Sequence, residues 1–353
     1  MRAKISDSSS RTAAGPDDSG KDELRSLASM LRDVTLKVVW RQWRVLGASA
    51  ALKTHPRPVQ SLVDPEALVL FSLLFIERER RLADLTRDWV VLNSDLLSVQ
   101  RIKNLAKSYP SALRRDLTPR LESLARIAVS DGKDFRWRSL LKSPKGHAPD
   151  RDDPDLRLEP RKSKFPSDSI VSKTRAVRAS VNDPSALLLR LRLGFGVGVK
   201  TDALGYLLGK SEYGNTVRKI AEATAYSAVA VRAAADDLAA ARLIQASNAK
   251  PATYRADLER WRTFFGFTPP VWLYWHQQFV FVAAFDAWAT DVEGRVLSPY
   301  AFGAHGRELL RQHERAFGHS QLALMMRHPE VTDWAANVSD AVQTLAADML
   351  KYA

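Results

Sequence analysis

One stretch limits the possible folds of this chain more than any other: Thr216 to Arg255, TVRKIAEATAYSAVAVRAAADDLAAARLIQASNAKPATYR. Thr216 is a good helix cap, and Val217, Ile220 and Ala221 share one face of the helix that follows. Ala223 to Ser227 reads as a turn, with Ser227 capping a second helix. Val231, Ala234, Ala235 and Leu238 recur at i, i+3, i+4 and i+7, so this second helix buries one stripe. Leu243–Gln245 reads as a strand, Ser247–Pro251 as a turn and Ala252–Arg255 as a returning strand. The expected unit is therefore helix, tight turn, helix and hairpin.

The chain has 353 residues, 45% of them apolar and 26% charged, which is enough for two or three packed domains. Its net charge of +13 favours a polyanionic partner, nucleic acid ahead of membrane. With no cysteine, the chain has no disulfide, thiolate metal site or cysteine nucleophile. The first residues lack the apolar run of a signal peptide, and residues 1–22 read as a disordered polar tail. Val271–Ala289 is the most apolar window, but His276, Gln277, Gln278 and Asp286 interrupt it, so a buried helix is expected rather than a membrane span. These features together suggest a cytoplasmic protein.

Residues 23–142 read as a helical module. Leu24, Leu27, Leu31, Val34 and Val38 mark an amphipathic first helix, with Arg32, Lys37, Arg41 and Arg44 on a basic side. Asp64 and Pro65 start the next helix, and others follow at Arg80–Asn93, near Leu97–Lys107 and at Ser111–Val129. Residues 143–182 carry Pro144, Pro149, Pro154, Pro160 and Pro166 among many charges and read as a linker. Residues 183–265 form the central domain. Gly194, Gly196 and Gly198 in it lack the preceding strand and the Gly-Lys-Ser/Thr of a phosphate loop, and Thr201 or Asp202 is expected to cap the next helix. Residues 266–353 read as a second helical module, its first helix rich in aromatics suited to a core or an interface.

The central unit resembles winged helix-turn-helix bacterial transcriptional regulators, in the broad sense that includes the MarR and GntR families. Ser227, Val231, Arg232, Leu238, Leu243 and Ile244 match the pattern that marks their recognition helix. Ala235 stands where leucine is usual and Arg242 where glycine is usual. The resemblance spans about residues 185–260. It implies a DNA-binding regulator whose Ser227–Ala241 helix enters the major groove while the hairpin lies near the backbone. On that reading the DNA-contacting residues are Thr216, Arg218, Lys219, Ser227, Ala228, Arg232, Lys250 and Arg255. Asp236 and Asp237 oppose phosphate contact unless they face away.

The expected fold is mainly α, with a small β-hairpin wing in a central winged helix and helical modules on both sides. The expected partner is double-stranded DNA, bound by a homodimer, with no membrane and with room for a small-molecule effector or a protein partner. The alternative is a protein-interaction module that reuses the same scaffold, for example an antitoxin-like or complex-assembly protein. No catalytic motif, metal site or cofactor site stands out. His305 and His313 lack a third ligand at matched spacing, and His319 and His328 add none.

Overall fold

The computed structural model describes residues 16–48, 59–132, 134–141, 178–210, 214–293, 299–317 and 334–353. The fold is mainly helical with one small antiparallel sheet. Helix α1 (Pro16–Val45) runs past α2 (Pro65–Leu74), α3 (Arg80–Asn93), α4 (Val99–Ala106) and α5 (Ser111–Ser130). Helices α11 (Trp275–Glu293), α12 (Pro299–Gln312) and α13 (Trp334–Tyr352) close the chain. The polar tail expected over residues 1–22 overlaps α1, which already starts at Pro16, and residues 1–15 lie outside the described residues. Most of the linker expected over 143–182 lies outside them too, along with Arg161, Lys162, Lys164, Lys173 and Arg175.

The first and last helical segments share a single hydrophobic core. Its centre is α11, whose aromatic residues Trp275, Phe279, Phe281 and Phe285 are fully buried. Phe279 stacks on Phe71 of α2 at 4.7 Å between ring centroids, and Phe281 meets Phe317 edge-on at 4.8 Å. These four aromatics are therefore core side chains. Helix α1 docks with both of its faces. Its apolar stripe is buried, Arg32 pairs with Asp286 of α11 at 3.7 Å, and Arg41 donates to the Ala353 carbonyl at 3.1 Å. The Trp43 and Trp89 indoles cross at 5.3 Å and donate to the Ser72 hydroxyl and the Leu46 carbonyl respectively.

The middle of the chain builds a second core. It contains α6 (Leu187–Phe195), α7 (Val199–Gly209), α8 (Val217–Thr224), α9 (Ala228–Ala240) and α10 (Leu258–Phe265). Strands β1 (Asn215–Thr216), β2 (Gln245–Ala246) and β3 (Thr253–Arg255) form the sheet, in the order β1-β3-β2. Asn215 faces Tyr254 across one ladder, and Ala246 faces the same Tyr254 across the other. The hairpin strands are shorter than the sequence suggests, because Leu243 and Ile244 lie ahead of β2, with Ile244 turned into the core. Gly209 ends α7 where the chain returns: a Cβ there would lie 2.5 Å from the Trp272 nitrogen, which donates to the Gly209 carbonyl.

One expected cap is corrected. Helix α7 begins at Val199, so neither Thr201 nor Asp202 caps it. The Thr201 hydroxyl instead donates to the Gly196 carbonyl at 2.6 Å, and Asp202 is fully buried in an ion network. The glycine loop has its own local reason, since Gly196 closes α6 at a φ of 83° that disfavours a side chain.

Candidate nucleic-acid interface

Local chemistry sets the two-helix unit. The Thr216 hydroxyl caps α8 by accepting the Lys219 N–H at 3.4 Å, while Val217, Ile220 and Ala223 turn inward. Helix α8 runs through Thr224, two residues into the turn expected from Ala223. Ala225 takes a left-handed conformation at φ 59°, and Ser227 caps α9 by accepting the Ala230 N–H at 3.2 Å. Val231, Ala234, Ala235 and Leu238 are buried, the stripe their spacing requires. On the opposite face Ser227, Ala228, Val229, Arg232 and Ala233 are exposed or nearly so, Val229 at 82%. Past the end of α9, Arg242 is left-handed at φ 57°, which explains why its position suits glycine. Its carbonyl receives the Arg260 guanidinium at 2.8 Å.

The other residues of the expected interface fall on three neighbouring elements. Arg218 and Lys219 are exposed on α8, Lys250 is exposed at the hairpin tip and Arg255 is exposed on β3. Arg218 pairs with Glu222 at 3.0 Å, and Arg255 donates to the Gln245 amide oxygen at 2.8 Å. Thr216 is half-buried, and its hydroxyl is already used as a cap. Both acidic residues of α9 are engaged by the protein itself. Asp236 accepts the Tyr254 hydroxyl at 2.6 Å, tying the hairpin to α9, and Asp237 pairs with Lys200 of α7 at 2.7 Å.

Beneath this unit lies a buried ion network that sequence reasoning did not find. Arg101 of α4 binds both oxygens of Asp64 at 2.7 and 2.5 Å, Glu66 at 2.6 Å and the Thr224 carbonyl at 3.0 Å. Arg192 of α6 binds Glu66 at 2.6 and 3.1 Å, Asp202 at 2.9 and 3.0 Å and the Leu96 carbonyl at 2.9 Å. The Ser98 N–H donates to Glu66 at 2.7 Å. The Tyr226 hydroxyl donates to Asp202 at 2.9 Å and lies 2.8 Å from the Ser98 hydroxyl, which must then be the donor between them. Asn104 donates to the Ala225 carbonyl at 2.8 Å. Residues 224–226, which join α8 to α9, are thus gripped by α4 and its cap.

Three carboxylates face two guanidiniums here, and the proton affinities of Asp64 and Asp202 move in opposite directions. Burial pushes Asp64 up, but the Arg101 charge, its hydrogen bonds and the Ala67 N–H outweigh burial and hold the carboxyl below its ordinary value. Burial dominates at Asp202 and raises it in spite of Arg192 and Arg101. Burial also raises the Tyr226 hydroxyl, reinforced by Asp202, which keeps it a neutral donor. Burial lowers the nearby His276 to about 4, against an opposing pull from Asp64. Among the described residues, neither ring nitrogen of His276 has a hydrogen-bond partner, and its ring meets Tyr109 edge-on at 5.6 Å.

Away from this region, an open cleft of about 570 Å³ is lined by Asp95, Asp131, Asp134, Arg136 and Arg178 among others. Both of its arginines are paired within the cleft, Arg136 to Asp134 at 2.6 Å and Arg178 to Asp95 at 3.1 Å, and Asp131 accepts the Ser130 hydroxyl at 2.8 Å. His305 is exposed and His313 packs edge-on to Phe281, while His319 and His328 lie outside the described residues. Among those residues, no helix is long and apolar enough to cross a membrane, and no three His, Cys, Asp or Glu side chains group to hold a metal ion. No family model, curated protein or solved structure matches the chain.

Proposed function

We propose that this protein is a duplex-DNA-binding regulator that reads the major groove with α9 and lays the β2–β3 hairpin along the backbone as a wing. The observation that carries the reading is the outward face of α9. It is solvent-facing from its cap to Arg232, both of its carboxylates are tied down by Tyr254 and Lys200, and it sits in the order helix, strand, helix, turn, helix, hairpin. Exposed Arg218, Lys219, Lys250 and Arg255 on the adjoining elements supply backbone contacts. The net charge of +13 supplies the long-range attraction. Phosphate contacts then provide most of the affinity, and Arg232 is the one cationic side chain on the reading face. The proposal includes a homodimer, because reading a palindrome takes two copies of the helix about 34 Å apart.

The test is a gel shift on genomic fragments with the purified protein and an Arg232→Ala/Lys219→Ala double variant. Both side chains are exposed, so the variant keeps its fold. Wild type should retain DNA with an affinity that falls steeply with salt, by a log–log slope of about −0.9 per phosphate contact. The double variant should lose retention. Retention that is unchanged in the variant, or insensitive to salt, would refute this docking. Absence of any DNA retention would leave the same face to a protein partner.

A further inference from the structure

The reading face of α9 is chemically narrow. The Ser227 oxygen accepts the Ala230 N–H, which leaves its short O–H as a donor at the cap, and Asp236 commits a carboxylate oxygen to Tyr254. Beyond the cap, the outward side chains before Asp236 are Ala228, Val229, Arg232 and Ala233. Past the cap, one guanidinium and one β-branched apolar group remain to meet base edges. Val229 is 82% exposed, the most exposed large apolar side chain in the described structure, and it is flanked by alanines too short to shield it.

Resting on the DNA-binding reading above, we infer that Val229 reads the C5-methyl of a thymine while Arg232 reads an adjacent guanine. Major-groove chemistry offers an apolar side chain one base-specific apolar partner, the thymine methyl, and offers a guanidinium the O6 and N7 acceptors of guanine. Spacing makes the two contacts compatible. Val229 and Arg232 are three residues apart, on one side of α9, and so separated by about 4.5 Å along the axis at 1.5 Å per residue. Base pairs repeat every 3.4 Å along the duplex, so the two side chains address the same or neighbouring steps. The ligand class is therefore duplex DNA carrying a thymine next to a guanine. The surrounding bases are read through backbone position and shape.

The experiment recovers a consensus duplex from a random-sequence pool, then replaces its thymines one at a time with uracil, which removes only the methyl. Wild type should lose about fourfold in affinity at one thymine, the value of burying one methyl-sized group. Val229→Ala should bind the thymine duplex about that much more weakly and become indifferent to the swap at that position. Val229 is exposed, so the variant should keep its fold, and an unchanged unfolding midpoint checks this. Replacing the neighbouring guanine with 7-deazaguanine should weaken wild type and leave Arg232→Ala unaffected. Equal uracil sensitivity in wild type and Val229→Ala overturns the inference, as does binding with no consensus, while the DNA-binding reading stands. Failure to retain any duplex overturns that reading, and the inference with it.

Discussion

Arg101→Met tests whether the buried ion network joins the two cores. Arg101 is fully buried, and its guanidinium makes four hydrogen bonds, to both oxygens of Asp64, to Glu66 and to the Thr224 carbonyl. Methionine keeps much of the volume but removes one positive charge from a site that already holds three carboxyls against two guanidiniums. Breaking a buried pair on one side typically costs about 3–5 kcal/mol, a large share of the roughly 5–15 kcal/mol that holds a domain folded. A second variant separates lost charge balance from lost packing. Arg101→Met/Asp64→Asn restores the original excess of one negative charge, and asparagine still caps α2 as well as aspartate does. The double variant should therefore be more stable than Arg101→Met alone by about 2 kcal/mol, a strong non-additivity. Urea unfolding followed by tryptophan fluorescence reports both cores, since Trp43 and Trp275 lie in one and Trp261 and Trp272 in the other. A cost below about 1 kcal/mol for Arg101→Met, the range of an exposed pair, would refute the role given to the network, and so would strict additivity.

Four further outcomes are expected. Tyr226→Phe removes the hydroxyl between Asp202 and Ser98 and should destabilise by about 1–3 kcal/mol in the same urea assay. Arg242→Gly relieves a left-handed φ of 57° and should be neutral or stabilising by up to about 1 kcal/mol, read as a higher urea midpoint. Leu238→Ala opens a cavity under α9 and should cost about 2–5 kcal/mol, with Ala233→Ser on the outer face near zero as the control. His276 is lowered to about 4 when folded, so the unfolded chain binds the extra proton between its ordinary pKa and 4; stability is present above pH 6.5 and declines by about 1.4 kcal/mol per unit as pH falls through that window. Lowered Asp64 adds loss on the acid side and raised Asp202 opposes it, so His276→Gln should flatten the upper part of the decline, and an unchanged profile would rule the histidine out.

Features written in a few adjacent residues were legible in the sequence. Asp64, Thr216 and Ser227 cap their helices because each side chain reaches an N–H three residues ahead, and the pattern is local. The buried stripe of α9 follows from spacing alone. Strand β1 was not legible: it is two residues long and is strand only because Asn215 and Thr216 pair with Tyr254 and Thr253. The ion network was not legible either, as its partners are set by packing, with Arg192 and Glu66 separated by 126 positions. A signal was nevertheless present. Glu66 opens a helix that is otherwise apolar, and Arg192 lies in a leucine run. A charge inside an apolar stretch is rarely left buried without a partner. The Gln42 amide, buried without a hydrogen-bond partner among the described residues, has no comparable account.

The network also bears on how α9 is held. A helix that offers few base-contacting side chains gains discrimination from being presented at one angle, because backbone and shape readout depend on where the phosphates meet the protein. Helix α9 is fixed from three directions. Its leading turn is held by Arg101, Asn104 and Tyr226, its trailing end by Arg260 on the Arg242 carbonyl, and its flanks by Tyr254 on Asp236 and Lys200 on Asp237. The contacts at the leading turn are buried or partly so, whereas the Lys200–Asp237 pair lies at the surface. The first two turns left to solvent carry Arg232 and short apolar groups, while the exposed Asp236 and Asp237 further along are each held by a partner within the protein. The acidic residues that seemed to count against DNA binding therefore orient the helix. On the proposed DNA-binding reading, releasing Asp236 by Tyr254→Phe, which changes no charge, should weaken DNA retention without touching the outward face of α9, and unchanged retention in a gel shift would refute the orienting role.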